Sequence, residues 1–164
     1  MLRSMELEKA SIPKIPPGYR WRIFTKRDKT IIEDIKNFQP CIVFKETYIE
    51  YALNAFKRGI VYYHGSTLQG FAIWIERKTC PLNMLVNAQK ELPSRYLHIL
   101  LISAIGQPEL SRILYGIERY GIKHSIVFIL LVPGSDNDFY LKEGYSLITH
   151  RFVLTLAKSI EPLE

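Results

Sequence analysis

The residues best placed to do chemistry surround a turn between a predicted strand and a predicted helix. Residues 96–103 read as a buried strand, and a helix is predicted to begin near Pro108. The first amides of a helix have no partner inside it and point outward, so such a turn can hold an anion. We expect the amides of residues 110–112, with the side chains of Gln107 and Arg112, to contribute most to that site.

A general base is sought among the histidines and the acidic residues. His98 alternates with Tyr96 and Leu100 along the strand, and the same alternation puts Ile102 on that face. Because imidazole titrates near neutral pH, His98 is the first candidate, and its alternative role is that of a hydrogen-bonded core histidine. Weaker candidates are His64, Glu76, Glu46 and His150. No Ser-His-Asp order, metal-ligand cluster or phosphate-binding P-loop is found.

The composition is that of one globular domain. The 164 residues are 48% hydrophobic and 23% charged, which argues against disorder. The longest apolar runs, 99–102 and 126–132, are far shorter than the roughly 20 residues that cross a bilayer. The N-terminus lacks the apolar segment of a signal peptide. We therefore expect a cytoplasmic protein, or one within a protein assembly, that is neither secreted nor membrane-bound.

Charge and cysteine content argue against nucleic acid and metal ions as binding partners. The net charge is +6, but the basic residues are scattered along the chain, with local groups only at 20–29 and around Lys142. A solvated basic surface is the simplest interpretation, and nucleic acid is an unlikely partner because no nucleic-acid-binding motif is present. Cys41 and Cys80 have no companion at metal-ligand spacing, so we expect two small buried side chains and no metal.

The hydrophobic pattern divides the chain into an arm and one domain. Pro13, Pro16 and Pro17 predict an extended arm over residues 1–18, and residues 19–164 form the domain. Predicted strands are 19–25, 60–63, 70–76, 96–103, 125–132 and 146–156. The first predicted helix follows the Thr25–Asp28 capping pair and ends at Pro40, and the second follows the Thr47–Glu50 pair and ends at Gly59. Two further helices are predicted at 108–120, closed by Gly121, and at 135–144. This order predicts an α/β fold, a central mixed sheet with helices on both faces.

From Tyr19 onward, that order of elements resembles the GNAT family of acetyl-CoA-dependent N-acyltransferases. The resemblance implies that the strand 96–103 binds the pantetheine arm of acetyl-CoA and that the start of the next helix binds its pyrophosphate. It implies cofactor contacts from Ile102, Gly106, Gln107, Leu110, Ser111 and Arg112.

The phosphate loop departs from the family pattern of Arg or Gln, two residues, Gly, one residue, and Gly or Ala. Aligned on the helix, these three positions hold Ile105, Pro108 and Leu110. Glycine lets the backbone approach phosphate closely, proline supplies no N–H, and Glu109 would repel a diphosphate. We therefore expect a degenerate loop with weakened cofactor binding.

A second resemblance lies in the segment Asp-Phe-Tyr-Leu-Lys-Glu-Gly-Tyr at 138–145. It is similar to the family's Phe-Tyr-x-x-x-Gly-Phe segment, in which the tyrosine protonates the departing thiolate. The resemblance therefore implies that Tyr140 is the general acid, which is chemically sound because a phenol can donate a proton to a thiolate. The alternative is that Phe139 and Tyr140 only pack a short helix on the sheet.

Two functions of different classes follow. The first is transfer of an acetyl or acyl group from acyl-CoA to an amine. The second is a non-catalytic structural or interaction protein with the same fold, such as a virion component, that binds a protein partner or a second copy of itself. Tyrosine is favoured at interfaces, and six tyrosines are predicted to be exposed: Tyr48, Tyr51, Tyr62, Tyr63, Tyr115 and Tyr120.

Overall fold

The computed structural model describes residues 16–40, 45–78, 95–126, 128–131, 137–150 and 153–160. The predicted arm falls almost entirely outside these residues, as do Cys41 and Cys80. The elements, in chain order, are β1 Tyr19–Phe24, α1 Lys29–Lys36, α2 Glu46–Ala55, β2 Arg58–His64, β3 Thr67–Arg77, β4 Tyr96–Ala104, α3 Gln107–Lys123, β5 Phe128–Leu131, α4 Asn137–Lys142, β6 Ser146–His150 and β7 Val153–Ser159.

The strands form one seven-stranded sheet in the order β1-β2-β3-β4-β5-β7-β6. Neighbouring strands are antiparallel except β4 and β5, which run parallel and are joined through α3. A parallel pair needs such a crossover because its strands must start at the same end of the sheet. The mixed α/β sheet predicted from the element order is confirmed.

Helices cover both faces of the sheet, and side chains alternate between them. On β2, Ile60 and Tyr62 pack beneath α3, whereas Val61 and Tyr63 pack beneath α1 and α2. We call the first side the α3 face, which α4 also covers, and the second the α1–α2 face. Because β2 is apolar on both sides, Tyr62 and Tyr63 are buried, and the prediction that they are exposed is wrong.

A β-bulge interrupts the alternation in β4. Ile99 pairs with Trp74 and Leu101 with Ile73, so Leu100 is the extra residue opposite β3. A bulge shifts the side-chain alternation by one position. Ile102 consequently packs against the core of the α3 face, and its predicted placement on the same face as His98 is wrong.

The predicted strand 146–156 is instead the hairpin of β6 and β7, which pair antiparallel. Residues 151–152 lie outside the described part of the chain. The sequence between the strands, His-Arg-Phe-Val at 150–153, has none of the Gly, Pro or Asn residues that mark most tight turns, and the strand pattern therefore runs through it.

The helix ends also differ from the sequence patterns. Helix α1 begins after Asp28, which is therefore its N-cap residue. The predicted Thr25–Asp28 pair forms one turn earlier, where the Asp28 carboxylate accepts the Thr25 N–H at 3.0 Å. Helix α2 begins after Lys45, which places Thr47 inside its first turn, where Glu46 supplies the favourable negative charge.

Two glycines predicted to stop helices serve packing instead. Gly59 lies in β2, where an added Cβ would stand 2.5 Å from the Phe24 ring. Gly121 lies within α3, where a Cβ would stand 2.6 Å from the side chain of Ile160. Both positions lack room for a side chain, and both predicted helix stops are wrong.

Replacing Gly70 with alanine is expected to destabilise the fold. The added Cβ would collide with Ile113 of α3 and stand 2.9 Å from the Ser103 carbonyl oxygen. Overpacking costs about 1–3 kcal/mol, more than the roughly 0.4–1 kcal/mol that alanine gains through the unfolded state. The urea midpoint should fall, whereas Thr67→Ala, at an exposed position of the same strand, should leave it nearly unchanged. Equal midpoints for Gly70→Ala and wild type would contradict this packing.

Candidate functional site

The central feature of the candidate site is a separation between β4 and β5. The two strands pair only from Tyr96 to His98 on β4, although β4 continues to Ala104. From Ile99 onward, the edge of β4 has no β5 partner among the described residues. We call this gap the split. An unpaired strand edge presents backbone N–H and C=O groups to an extended ligand, and in the described part of the chain the Leu100 carbonyl on this stretch accepts a hydrogen bond from the Tyr48 hydroxyl.

A tyrosine from α2 contacts the bulge beside the split. The Tyr48 hydroxyl donates a hydrogen bond to the Leu100 carbonyl oxygen, and burial raises the Tyr48 pKa, so the phenol stays protonated. The two residues are 52 positions apart, and no sequence pattern connects them. The sequence therefore predicts Tyr48 only as a surface tyrosine.

Helix α3 begins at the end of β4 with an unusual first turn. Gly106 is the N-cap residue in an extended conformation, and no side chain caps it. The Leu110 N–H donates to the Gly106 carbonyl at 3.0 Å, and the Leu110 side chain is buried in the core. The first turn thus offers an anion the amides of Gln107 and Glu109, since Pro108 has none.

An acidic side chain of the protein already lies at this helix start. Glu109 forms an ion pair with Arg112 at 3.6 Å, and both side chains are largely buried. The Glu109 Oε1 atom lies 2.9 Å from where a Cβ on Gly106 would stand, so the carboxylate folds back over the N-cap residue. Glu109 therefore supplies the negative charge that the helix dipole favours, and it neutralises the predicted phosphate-binding arginine.

The other predicted cofactor residues surround this turn. Ile105 is 54% exposed and its N–H donates to the Gln69 carbonyl at 2.9 Å. Gln107 is exposed, and Ile102 is half-buried on β4 beside the split. Ser111 donates to the Glu143 carboxylate at 3.0 Å, which ties α3 to the end of α4. The structure brings these residues to one end of the split, and their contacts with a cofactor stay predictions.

A polar cluster between α3, α4 and β7 fixes the position of α4. Lys158 donates to the Glu143 carbonyl at 2.8 Å and forms an ion pair with Glu118. Burial raises the pKa of Glu118, and Lys158 opposes that rise. Lys158 also lies over the Tyr145 ring, at 5.6 Å, so this one side chain of β7 contacts two residues just after α4.

Tyr140, the predicted general acid, lies on α4 in the core of the α3 face. Its ring packs edge-on against Phe139 at 5.5 Å and Tyr145 at 5.8 Å. Burial raises the pKa of the neighbouring Tyr145 well above its usual range. The structure therefore shows the packing role of Tyr140, and its role as general acid stays a prediction.

His98, the predicted base, lies across the sheet from Tyr140. It pairs with Ile75 on β3 and with Leu130 on β5, at the last residue before the split. Burial, and to a smaller extent the charge of Arg77, lower the His98 pKa below its ordinary value of 6.5. The imidazole is therefore neutral at pH 7 and able to accept a proton.

The weaker candidate bases are engaged elsewhere or lie at the surface. His64 stacks on Tyr19 with ring centroids 4.3 Å apart. Glu76 accepts hydrogen bonds from Tyr120 at 2.5 Å and from Arg95 at 3.2 Å. Glu46 is exposed on α2. His150 belongs to β6, but its side chain is outside the description. No group of three or more metal-binding side chains occurs in the residues described.

No family model and no curated protein sequence matches this chain, but solved structures do. Tetrahymena GCN5 superposes with a TM-score of 0.64 at 13% identity over 88% of this chain and 98% of that chain. Arabidopsis thaliana NAA60, in complex with a bisubstrate analogue, gives 0.60 at 12% identity over 87% and 98%. An N-acetyltransferase from Staphylococcus aureus Mu50 gives 0.58 at 14% identity over 86% and 97%.

These similarities extend over most of each chain, and they match the resemblance in element order found in the sequence. The chain therefore has the fold of the GNAT acetyltransferases. No helix in the described ranges has the length and apolar character needed to cross a membrane.

Removing the internal carboxylate is expected to strengthen anion binding at the start of α3. Glu109→Gln frees Arg112 and removes a competing negative charge, so affinity for coenzyme A should rise about three- to tenfold in isothermal titration. Glu33→Gln removes an equivalent ion pair, with Lys36 on α1, and serves as the matched control. Equal affinities for Glu109→Gln and wild type would contradict the competing role of Glu109.

Proposed function

We propose that this protein is an N-acyltransferase that moves an acyl group from acyl-CoA to an amine. The split between β4 and β5 is the observation that carries the proposal. Among the residues that the structure describes, it leaves an unpaired edge of β4 and a bulge in the middle of the sheet, between His98 on one face and α4 on the other. The GNAT fold of the chain supports the same activity.

The free edge of β4 would bind the pantetheine arm through backbone hydrogen bonds. The thioester would then lie in the split, with His98 reaching it from the α1–α2 face and Tyr140 from the α3 face. The amine attacks the thioester carbon, a C–N bond forms and the C–S bond breaks. His98 takes the proton that the amine loses, and Tyr140 gives its proton to the thiolate that leaves.

The phosphate end of the donor would contribute little to binding. Glu109 already satisfies Arg112, and Pro108 removes one amide from the first turn of α3. Most of the affinity would then come from the pantetheine arm and the acyl group. Isothermal titration with acetyl-CoA, desulfo-CoA and adenosine diphosphate separates these parts, and mass spectrometry of amine acceptors detects the transfer. Absence of acetyl-CoA binding at millimolar concentration would overturn the proposal.

Tyr140→Phe is expected to slow the transfer while the fold is retained. The variant keeps the ring contacts with Phe139 and Tyr145 but removes the proton donor, so kcat should fall about 100-fold with the KM for acetyl-CoA nearly unchanged. Tyr145→Phe is the matched control, because the Tyr145 hydroxyl is buried without a hydrogen-bond partner in the described structure. An unchanged kcat in Tyr140→Phe would show that Tyr140 only packs.

The pH dependence tests His98. Because its pKa lies below 6.5 in the folded protein, the neutral imidazole should persist at pH 6.5, and kcat/KM should fall only as the pH drops further, through the lowered pKa. His98→Gln should lower kcat/KM and abolish this acidic limb, whereas His64→Gln, at an exposed position, should preserve it. A limb that survives in His98→Gln would exclude His98 as the base.

The second candidate is a non-catalytic protein of the same fold that binds a partner or another copy of itself. The Glu109–Arg112 ion pair favours it, since an internal charge at the phosphate position is compatible with a site that binds no cofactor. Tyr51, 60% exposed on α2, is the strongest remaining contact tyrosine. Failure to bind acetyl-CoA, together with self-association in sedimentation, would support this alternative.

A further inference from the structure

One end of the sheet gathers basic side chains that are scattered in the sequence. At this end β1 and β3 finish and β2 and β4 begin, since Phe24 pairs with Gly59 and Arg77 with Tyr96. Helix α3 ends there too, because Arg95 donates to the His124 carbonyl at 2.9 Å. We call the exposed basic residues of this end the basic rim: Lys26, Arg27, Lys57, Arg58, Arg77, Lys78, Arg95 and Lys123.

The basic rim is poorly neutralised. In the described part of the chain, Arg95 is its only member with an ion pair, to Glu76 at 3.2 Å. Lys26 instead donates to the Asn54 carbonyl and lies near the Phe56 ring. Like charges gathered this closely repel one another unless a counter-charge is supplied, so the rim creates a positive field directed outward.

The opposite end of the sheet shows no such excess. Among its described residues, the β2–β3 turn carries His64, Gly65, Ser66 and Thr67. At the start of α3, Glu109 and Arg112 neutralise each other. Within the described ranges, the exposed basic side chains at the ends of β1 to β4 are therefore more numerous at the rim than beside the start of α3.

The basic rim adjoins the candidate chemistry. Arg77 lies close enough to His98 for its charge to lower the histidine pKa. A pocket of about 1150 Å³ beside α3 includes Arg58 and Lys123 of the rim in its lining, and both Arg119 and the carboxylates of Glu118 and Glu143 line it as well. A chain bound at the rim would thus lie beside the predicted base.

We infer that the basic rim docks an acidic polypeptide, and that this polypeptide carries the acceptor amine. The inference rests on the proposed N-acyltransferase function, and it names the class of acceptor. Carboxylates spaced along an extended chain can face successive strand ends, which lie about 4.8 Å apart across a sheet. Complementary charge of this kind steers a partner and fixes its register.

The rings near the rim favour a polypeptide over nucleic acid. Trp74, Phe24 and Phe56 are buried in the core, and the half-buried Tyr120 packs at tilted angles against Trp74 and His124. Proteins that bind single strands without sequence preference use exposed aromatic side chains as stacking platforms. The described part of the rim has basic side chains but no exposed Phe, Tyr or Trp ring beside them on which a base could stack.

The test measures peptide binding and transfer separately. The probe is a fluorescent peptide with a free N-terminal amine followed by a run of aspartate and glutamate, and its partner has asparagine and glutamine instead. Fluorescence anisotropy without any acyl donor should give at least about tenfold tighter binding of the acidic peptide, and the difference should shrink as salt is added. Mass spectrometry with acetyl-CoA should show the same preference in acetylation.

A triple variant, Lys57→Gln with Arg58→Gln and Lys78→Gln, should lose this preference. The control, Arg20→Gln with Lys36→Gln and Lys45→Gln, changes the net charge equally at exposed positions away from the rim and should retain it. Circular dichroism and urea midpoints check that both variants fold.

The outcomes separate the two proposals. Equal binding of acidic and neutral peptides, or equal losses in both variants, would overturn the docking inference. Tighter binding of a DNA or RNA oligomer at the same salt would overturn it in favour of nucleic acid. Acidic-peptide binding without acetyl transfer would refute the enzyme and the acceptor role while the docking surface stands. Transfer without an acidic preference would refute the surface alone.

Discussion

The rest of the candidate site depends on the β4 bulge at Leu100, whose carbonyl accepts a hydrogen bond from Tyr48. Leu100 is the extra residue of the β4 bulge, and a bulge bends its strand and increases its twist. Beyond the bulge, β4 has lost the described pairing with β5, so one irregular residue coincides with the opening of the sheet. The Tyr48 phenol of helix α2 makes this hydrogen bond, and it couples the α1–α2 face to the centre of the candidate site.

The packing of α3 sets the other side of the opening. Gly70, Gly116 and Gly121 each lie where an added Cβ would collide with a neighbouring isoleucine, so the helix approaches the sheet closely along most of its length. This close approach places the start of α3 at the end of β4 and lets Ser111 reach Glu143 of α4. Small residues therefore determine the geometry between the two helices that flank the split.

The fold could be predicted from the sequence because its signals are local or periodic. The buried strands, the amphipathic α3 and the order of elements as far as β6 are correct, and they are sufficient for the GNAT resemblance. The β6–β7 hairpin could not be predicted, since residues 150–153 carry no turn signal. The bulge, the Tyr48 contact and the gathering of the basic residues depend on which strand ends become neighbours. Hydrophobic periodicity does not record such tertiary relations.

The Glu109 carboxylate at the start of α3 changes what the measured affinity of an anion for this helix start reports. An empty helix start gains a favourable charge when an anion arrives, whereas here Glu109 is tethered beside Arg112 at a high effective concentration. An incoming anion must displace a partner that never diffuses away, and its measured affinity is the difference between two interactions. Glu109 therefore already supplies the negative charge that the start of α3 favours. An anion that binds there replaces the Glu109 carboxylate rather than filling an uncompensated positive site.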